Sequence, residues 1–274
     1  MSTHDAFSAF EHAGWTDESL ARAYHGHIAD VTRQSIPRLL AAAGVKPGDR
    51  VLDVACGGGY VAAAARDQGA EAVGLDFSAT QVGLAKQAYP GIEFAEGDAE
   101  ALPFSEAQFD VVLNAFGFPH FTNPDKATRE AHRVLKPGGR FAYASWAEAM
   151  KCIAVAMVYD AVRAYGSFDV GLPPGPSFFG YGDPVYAKEL LDKAGFARIS
   201  TEEIPAVWRV FSPDGLYEAM SAGTVRAAAI LKKQSPEASS KIRQALRERV
   251  SRFESNGTYE VPAPALVAAA QRIA

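Results

Sequence analysis

A short apolar run that leads into three consecutive glycines is the feature that most limits how this chain can fold. Residues 50–55 read Arg-Val-Leu-Asp-Val-Ala and predict a buried strand, Cys56 follows, and residues 57–59 are all glycine. Glycines allow a tight turn and let a ligand approach the main chain without a β-carbon in the way. A helix predicted over residues 60–68 would point its first N–H groups at the same turn. The sequence therefore predicts a strand, a ligand-binding turn and a helix.

Strands and helices continue to alternate after this turn. Further strands are predicted at residues 72–75, 92–96, 109–114 and 140–146, with helices at 78–88 and 124–135 between them. Ser78 and Asn123 have side chains that can cap the helices they precede, and Pro124 suits a first helical position. Such alternation indicates an α/β fold with a parallel sheet covered on both faces, whose ligand lies beyond the carboxyl ends of the strands.

An acidic residue at the end of the second predicted strand could bind a ligand at the same turn. Asp76 follows Gly74-Leu75, one β-α-β unit after Asp53. A carboxylate in this place can accept hydrogen bonds from both hydroxyls of a ribose. A nucleotide dehydrogenase would need a later glycine, but residues 60–62 are Tyr-Val-Ala, so that alternative is disfavoured.

Five segments together resemble the motifs of class I S-adenosylmethionine-dependent methyltransferases, and they are most similar to the ubiquinone/menaquinone methyltransferase branch. They are residues 51–59, 74–78, 96–104, 109–114 and 133–139, within a resemblance that covers residues 45–147. The resemblance implies a doubly wound, seven-stranded, mostly parallel Rossmann-like sheet, with a helical and loop cap over the acceptor site. It implies S-adenosyl-L-methionine as cofactor and S-adenosyl-L-homocysteine as its product. Gly58 departs from the family, which often has Thr or Ser there.

The resemblance also implies a cofactor contact for eight positions at or just beyond the strand ends. They are Ala55 and Gly57 for the methionine part, Asp53 for its amino group, Asp76 for the ribose, Phe77, Asp98 and Ala99 for the adenine, and Asn114, through its backbone, for the region of the sulfonium.

The implied activity is in-line methyl transfer to a small aromatic, quinone-like or lipid-like acceptor. His120, just beyond the fourth strand, is the candidate base, and a loop histidine that only packs near the acceptor is the alternative. Nine aromatic residues could line an acceptor pocket, about half of them being expected in the core: Phe116, Phe118, Phe121, Trp146, Phe168, Phe178, Phe179, Tyr181 and Trp208. The alternative function is a binding module or cyclase-like enzyme that holds the cofactor without net methyl transfer.

Three consecutive domains are predicted. Residues 1–43 would form an arm, loose over its first 15 residues, and helices that cover the cofactor; residues 44–147 would form the cofactor-binding core; residues 148–274 would complete the sheet and supply the substrate cap. In this last part, strands are predicted at 196–205 and 207–211, and one more within 259–273.

The net charge and composition of the chain limit which binding partners are expected. The formal net charge is −5, so neither nucleic acid nor an anionic membrane is an expected partner. No basic start followed by an apolar run and no stretch of about 18 apolar residues is present, which predicts a cytoplasmic protein without stable membrane insertion. The two cysteines have no metal-ligand spacing, so no metal site is expected. A monomer or a homodimer is expected.

Overall fold

The computed structural model describes residues 3–273, which divide into two compact units. The unit that we call the sheet unit contains Thr32–Ala147, Gly175–Ile204 and the residues from Ala265 onward. The unit that we call the helical unit contains the described residues up to Val31, together with Glu148–Pro174 and Pro205–Pro264. Residues 148–274 therefore contribute to both units. The assignment of separate roles to residues 1–43, 44–147 and 148–274 stays a prediction.

The strands, numbered in chain order, are β1 (Arg50–Val54), β2 (Glu71–Asp76), β3 (Glu93–Glu96), β4 (Phe109–Ala115), β5 (Leu135–Trp146), β6 (Phe196–Ile204), β7 (Val207–Val210), β8 (Glu254–Ser255), β9 (Thr258–Pro262) and β10 (Ala265–Arg272). The large sheet has the order β3-β2-β1-β4-β5-β10-β6. Its first five members run parallel, and β10 is antiparallel to both β5 and β6. This confirms the predicted seven-stranded, mostly parallel sheet.

The helices are α1 (Thr3–Trp15), α2 (Glu18–His27), α3 (Ala29–Thr32), α4 (Ile36–Ala43), α5 (Tyr60–Asp67), α6 (Ala79–Ala88), α7 (Pro124–Val134), α8 (Ile153–Tyr165), α9 (Pro184–Lys193), α10 (Gly215–Gly223), α11 (Arg226–Lys232) and α12 (Pro236–Val250). Short 3-10 helices lie at Arg33–Ser35, Phe118–His120, Gly180–Gly182 and Ser251–Phe253. Among residues 3–273, none of these helices combines the length and the apolar character that a membrane span needs.

Strand order reverses between β1 and β4, and this fixes where a ligand can enter. β1 pairs with β2 on one side and with β4 on the other, while the connections after β1 and β4 lead away in opposite directions. In doubly wound sheets a crevice opens at this reversal, beyond the carboxyl ends of the strands. Residues 55–59 and Asn114 lie at these ends.

Local sequence sets the helix starts as predicted. The Ser78 hydroxyl accepts a hydrogen bond from the Gln81 N–H, and the Asn123 side chain accepts one from the Lys126 N–H. Both contacts satisfy N–H groups that a first helical turn leaves without partners. Pro124 is the first residue of α7, where its missing N–H costs no helical hydrogen bond.

The predicted loose arm at residues 1–15 is wrong for the described residues, because residues 3–15 form α1; Met1 and Ser2 lie outside the described residues. Phe7, Glu11 and Trp15 are spaced by four residues, so they share one face of this helix, and all three are buried. The Trp15 indole N–H donates to Glu11 Oε2 over 3.2 Å. A buried apolar face gives α1 the stability that its isolated sequence lacks.

The predicted strands after residue 195 form, but they belong to two sheets. β6 is an edge of the large sheet, whereas β7 pairs with β9 in a three-stranded sheet of the helical unit. The single strand predicted within 259–273 is two strands, β9 and β10, separated by Ala263-Pro264. Proline cannot donate to a strand ladder, which accounts for a break at this place.

His132 is half-buried on α7 and packs edge-on against Phe196, with 4.9 Å between ring centroids. Desolvation lowers its pKa, and the nearby Arg272 charge lowers that pKa further. Because the fold favours the neutral ring, its contribution to stability is present above the unfolded-state pKa of about 6.5 and is lost as pH falls through the folded-state value. We expect the unfolding free energy of the wild type to fall more between pH 7 and pH 5 than that of His132→Gln, measured by urea titration. Equal losses in the two proteins would contradict this.

Candidate active site

The turn after β1 adopts the left-handed backbone that its glycines allow. Gly57 has a φ of 50° and Gly59 a φ of 79°. A β-carbon added at Gly57 would face open space, so a ligand can approach the main chain there. A β-carbon at Gly59 would lie 2.7 Å from Phe94 Cζ, so this glycine allows α5 to pack closely on the strands. The two glycines therefore have different roles, one in access and one in packing.

Asp76 ends β2 and organises the turn. Its Oδ2 accepts a hydrogen bond from the Gly57 N–H at 2.8 Å, and its Oδ1 accepts one from the Ser78 N–H at 2.9 Å. The side chain is buried, and burial raises its pKa to about 6, against the opposing effects of the two backbone N–H groups and of the His120 charge. An ionised carboxylate has about four acceptor positions, so Asp76 can still accept from a diol.

Asp53 lies beside the same turn with one oxygen unsatisfied. Its Oδ2 accepts from the Ala62 N–H in the first turn of α5 at 3.0 Å, whereas its Oδ1 has no hydrogen-bond partner among residues 3–273. The residue is 1% exposed, and burial, with a further contribution from the Asp76 charge, raises its pKa to about 8. A buried acceptor without a partner is costly. A ligand that brings a donor, above all a cationic one, would remove this cost.

Asn114 uses its side chain to hold the strand ends together. Its Nδ2 donates to the Val54 carbonyl at 2.8 Å, and its Oδ1 accepts from the Gly117 N–H at 3.3 Å. A β-carbon at Gly117 would lie 2.9 Å from Ala55 Cβ, so this loop passes close to the glycine turn. With both side-chain groups engaged, a cofactor contact at Asn114 through its backbone stays a prediction.

The loop after β3 carries Asp98 and Ala99 at the same edge of the sheet. Asp98 is exposed and its carboxylate accepts from the Glu100 N–H at 2.8 Å, whereas Ala99 is buried. Phe77, directly after Asp76, is half-buried. These three residues follow the neighbouring strands β2 and β3, as an adenine site requires, and their contacts with a base stay a prediction.

The sequence did not predict the hydrogen bonds that hold the loop after β3 in place. Arg133 donates to the carbonyls of Phe104 and Leu102 at 2.8 and 3.0 Å, and Glu130 accepts from the Leu102 N–H at 2.8 Å. Arg133 and Glu130 also pair with each other over 2.7 Å on α7. Arg133 lies in the segment at residues 133–139 that resembles the family. The two carbonyls that it binds, however, lie about 30 positions away in the sequence, and no local pattern predicts these contacts.

His120 ends the 3-10 helix Phe118–His120 and is half-buried. It follows β4, and its charge contributes to lowering the pKa of Asp76. The structure thus brings the candidate base to the same edge as Asp53, Asp76 and the glycine turn. The role as a base stays a prediction.

The aromatic residues predicted for an acceptor pocket are mostly core. Phe116, Phe118, Phe121, Trp146, Tyr181 and Trp208 are buried, Phe178 and Phe179 are half-buried, and Phe168 is exposed. Phe118, for example, stacks on Tyr181 at 5.2 Å between centroids and meets Tyr143 edge-on at 4.6 Å. In the sheet unit, Phe178 and Phe179 are the members of the predicted set that keep substantial exposure.

A comparison with protein families identifies the core of the chain. Residues 52–143 match a family model described as a methyltransferase domain. The chain is therefore similar to methyltransferase domains over this segment. The matched segment runs from β1 to β5 and contains all eight predicted cofactor positions, as well as His120.

Parts of the chain are also similar to named methyltransferases. The chain is 42% identical over 115 residues to a demethylmenaquinone methyltransferase of Renibacterium salmoninarum, which is 42% of this chain and 48% of that protein. It is 45% identical over 91 residues to a demethylmenaquinone methyltransferase of Chlorobaculum parvum, 33% of this chain and 38% of the relative. The matched part thus spans less than half of each relative.

Solved structures resemble the chain over most of its length. YcgJ of Bacillus subtilis has a TM-score of 0.56 at 20% identity, over 88% of this chain and 98% of its own. Phosphoethanolamine N-methyltransferase 2 of Haemonchus contortus, bound to S-adenosylhomocysteine, has a TM-score of 0.58 at 19% identity, over 98% of this chain and 60% of its own. The [4+2]-cyclase SpnF has a TM-score of 0.52 at 20% identity, over 88% and 81%. At these identities the likeness shows the fold alone.

Proposed function

We propose that this protein is an S-adenosylmethionine-dependent methyltransferase that acts on a small aromatic acceptor of quinone type. The observation that carries the proposal is the pair of buried carboxylates around the open face of Gly57. Asp76 offers acceptors to the two hydroxyls of a ribose, and the unsatisfied oxygen of Asp53 suits an ammonium group. Asp98 and Ala99 follow the next strand, where an adenine linked to that ribose would lie.

The chain's own residues would mainly position the reactants. When bound, the cofactor supplies a methyl group that its positive sulfur already activates. Asn114 and Gly117 fix the ends of β1 and β4, so the site at which the methyl group is presented is rigid. His120 would accept the proton of an acceptor hydroxyl as the methyl group moves from sulfur to the acceptor and S-adenosylhomocysteine is left.

The acceptor class rests on the named relatives and on the aromatic side chains that keep some exposure. The matched relatives are demethylmenaquinone methyltransferases, and Phe178 and Phe179 of the sheet unit could contact a flat apolar ring. A lipid-like acceptor would use the same apolar surface. We also propose, on the sequence grounds given above, that the protein works in the cytoplasm as a monomer or a homodimer.

A methyl-transfer assay tests this function. The protein is incubated with methyl-labelled S-adenosylmethionine and with chemically reduced 1,4-naphthoquinone, catechol or phosphoethanolamine. We expect label in the naphthoquinol product and equimolar release of S-adenosylhomocysteine. Transfer to phosphoethanolamine alone would overturn the acceptor class. Tight cofactor binding without transfer to any acceptor would favour a binding module or a cyclase-like enzyme instead.

Asp98→Ala tests the adenine contact. We expect S-adenosylhomocysteine to bind about three- to tenfold more weakly by calorimetry, the scale of one hydrogen bond at an exposed position. Glu71→Ala, an exposed acid at the other end of β2, is the control and should leave the affinity unchanged. An equal effect of both variants would assign the change to net charge and not to an adenine contact.

A further inference from the structure

A buried serine hydroxyl at the carboxyl end of β5 lacks a hydrogen-bond partner. Ser145 is the last residue but one of this strand and is fully buried. Within the part of the chain that the structure describes, its Oγ makes no hydrogen bond. Buried polar groups in folded proteins are almost always hydrogen-bonded, because leaving one unsatisfied is costly. Such a hydroxyl, at the edge of the sheet where folds of this kind bind ligands, points to a ligand group.

The Ser145 hydroxyl faces the side of the sheet on which the candidate base is held. Side chains two residues apart on a strand share a face, so Ser145 and Tyr143 point to the same side. The Phe118 ring packs on this side, with 4.6 Å between its centroid and that of Tyr143. Phe118 begins the 3-10 helix that His120 ends. The helix with the candidate base therefore packs on the face to which Ser145 points.

The ends of β4 and β5 are fixed to each other next to Ser145. The N–H of Phe116, directly after β4, donates to the Ala144 carbonyl at 2.8 Å, and its ring centroid lies 4.6 Å from that of Trp146. Phe116 has a φ of 60°, a left-handed backbone that is unfavourable for a bulky side chain. Such a backbone persists where the surrounding contacts determine it. A ligand at these strand ends would therefore meet groups in defined positions.

The 3-10 helix Gly180–Gly182 lies against β5 on both sides of Ser145. The carbonyl of its middle residue accepts a hydrogen bond from the Tyr143 O–H at 3.1 Å. Its last residue is so close to the Trp146 carbonyl oxygen that a β-carbon there would collide with this atom. The helix thus covers the serine in the free protein, and a ligand would reach the hydroxyl only after the helix moves away.

We propose that Ser145 is a specificity-determining residue that binds the second ring oxygen of a quinol-type acceptor, the oxygen opposite the one that loses its proton to His120. This inference rests on the proposed function and adds a polar contact for its acceptor. Entry of the acceptor displaces the helix Gly180–Gly182 and gives the Ser145 hydroxyl the partner that it lacks in the free protein. A buried group that needs a ligand oxygen discriminates against an analogue without that oxygen.

Two naphthalene ligands that differ in one oxygen isolate this contact. 1,4-Dihydroxynaphthalene has both ring oxygens, whereas 1-naphthol has one. Calorimetry under anaerobic conditions measures the binding of each to protein saturated with S-adenosylhomocysteine. We expect the wild type to bind the dihydroxy compound about tenfold more tightly, the scale of one hydrogen bond. Ser145→Ala should bind the two compounds within about twofold of each other. Ser145→Cys, whose thiol is a weaker donor, should show an intermediate preference.

Ser35→Ala is the matched control. Ser35 is also buried in the sheet unit, but its Oγ donates to the Thr32 carbonyl at 2.8 Å. Loss of this satisfied hydroxyl should lower the melting temperature of the ligand-free protein and keep the preference for the dihydroxy compound. Loss of the unpartnered Ser145 hydroxyl should remove the preference without lowering the melting temperature. An equal destabilisation by both variants would assign the Ser145 hydroxyl a structural role and overturn the proposal.

The outcomes separate this inference from the proposed function. A preference for the dihydroxy compound that Ser145→Ala removes supports the contact. Equal binding of the two compounds by the wild type, or a preference that survives in Ser145→Ala, overturns the contact, while methyl transfer to the naphthoquinol leaves the proposed function standing. If the wild type neither binds nor methylates either compound, the proposed function fails and this inference fails with it.

Discussion

Replacing Asp76 by alanine is expected to weaken S-adenosylhomocysteine binding by about 1.5–3 kcal/mol, roughly ten- to a hundredfold. Two losses add in this variant. The ribose hydroxyls lose a charged acceptor, and the Gly57 N–H, which Asp76 holds at 2.8 Å, loses the contact that shapes the turn. Calorimetric titration of the wild type and the variant measures the difference.

Controls for this variant come from the same sheet. Glu93→Ala removes an exposed acid at the start of β3 and should leave the affinity unchanged. Asp76→Asn keeps the shape and one acceptor oxygen, so its loss should be smaller than that of Asp76→Ala. An affinity of Asp76→Ala equal to that of the wild type would refute the ribose assignment.

The raised pKa of Asp76 predicts that the affinity for S-adenosylhomocysteine depends on pH. Burial raises this pKa to about 6, and only the ionised carboxylate offers all its acceptor positions to hydroxyl donors. The wild-type affinity for S-adenosylhomocysteine should therefore fall as pH decreases through about 6. Asp76→Asn should lack this step, and a step of the same size in both proteins would assign it to another group.

Arg272→Met is expected to lower the unfolding free energy by about 2–3 kcal/mol, the loss expected for hydrogen bonds to a charged group. The guanidinium of Arg272, on β10, donates to the carbonyls of His132, Arg133 and Leu135 over 3.1, 2.9 and 2.7 Å. His132 and Arg133 lie in the last turn of α7 and Leu135 directly follows it. At this end of a helix the carbonyl oxygens lack helical partners and favour a cation. Methionine keeps most of the apolar stem, so the difference reports the lost hydrogen bonds.

Arg198→Met is the control for this effect. Arg198, on β6, reaches only the side chain of Gln271 at 3.0 Å among the described residues and is largely solvated. Its loss should cost less than about 0.5 kcal/mol. Chemical denaturation of the three proteins compares them, and similar midpoints for Arg272→Met and Arg198→Met would rule out a special role of Arg272.

The sequence predicts the parts of the fold that local pattern encodes. Asn123-Pro124 and Ser78 start helices because a capping side chain acts on N–H groups two or three residues away. Partners of distant strands follow no local rule. No local pattern in β6, β7, β9 and β10 tells which of them join the large sheet, because tertiary packing decides this.

The same limit applies to the site. Asp53, Gly57, Asp76 and Asn114 could be placed because each lies at or just beyond the carboxyl end of a strand whose position the alternation fixes. The Arg133 contacts with the loop at residues 102–104 could not, since they join residues about 30 positions apart. The helical state of residues 3–15 was missed because a buried face shows only when its partners are known.

The position of β10 has a consequence for how the chain becomes a protein in the cell. β10 follows every other described element in sequence, yet it lies between β5 and β6. Chains emerge from the ribosome amino end first, and domains tend to fold as units. β6 therefore leaves the ribosome before β10, the strand that connects it to the sheet. Until β10 has emerged, the N–H and C=O groups on that side of β6 lack the strand they pair with. Chaperone contact during this interval would fall on β6 and on the open side of β5.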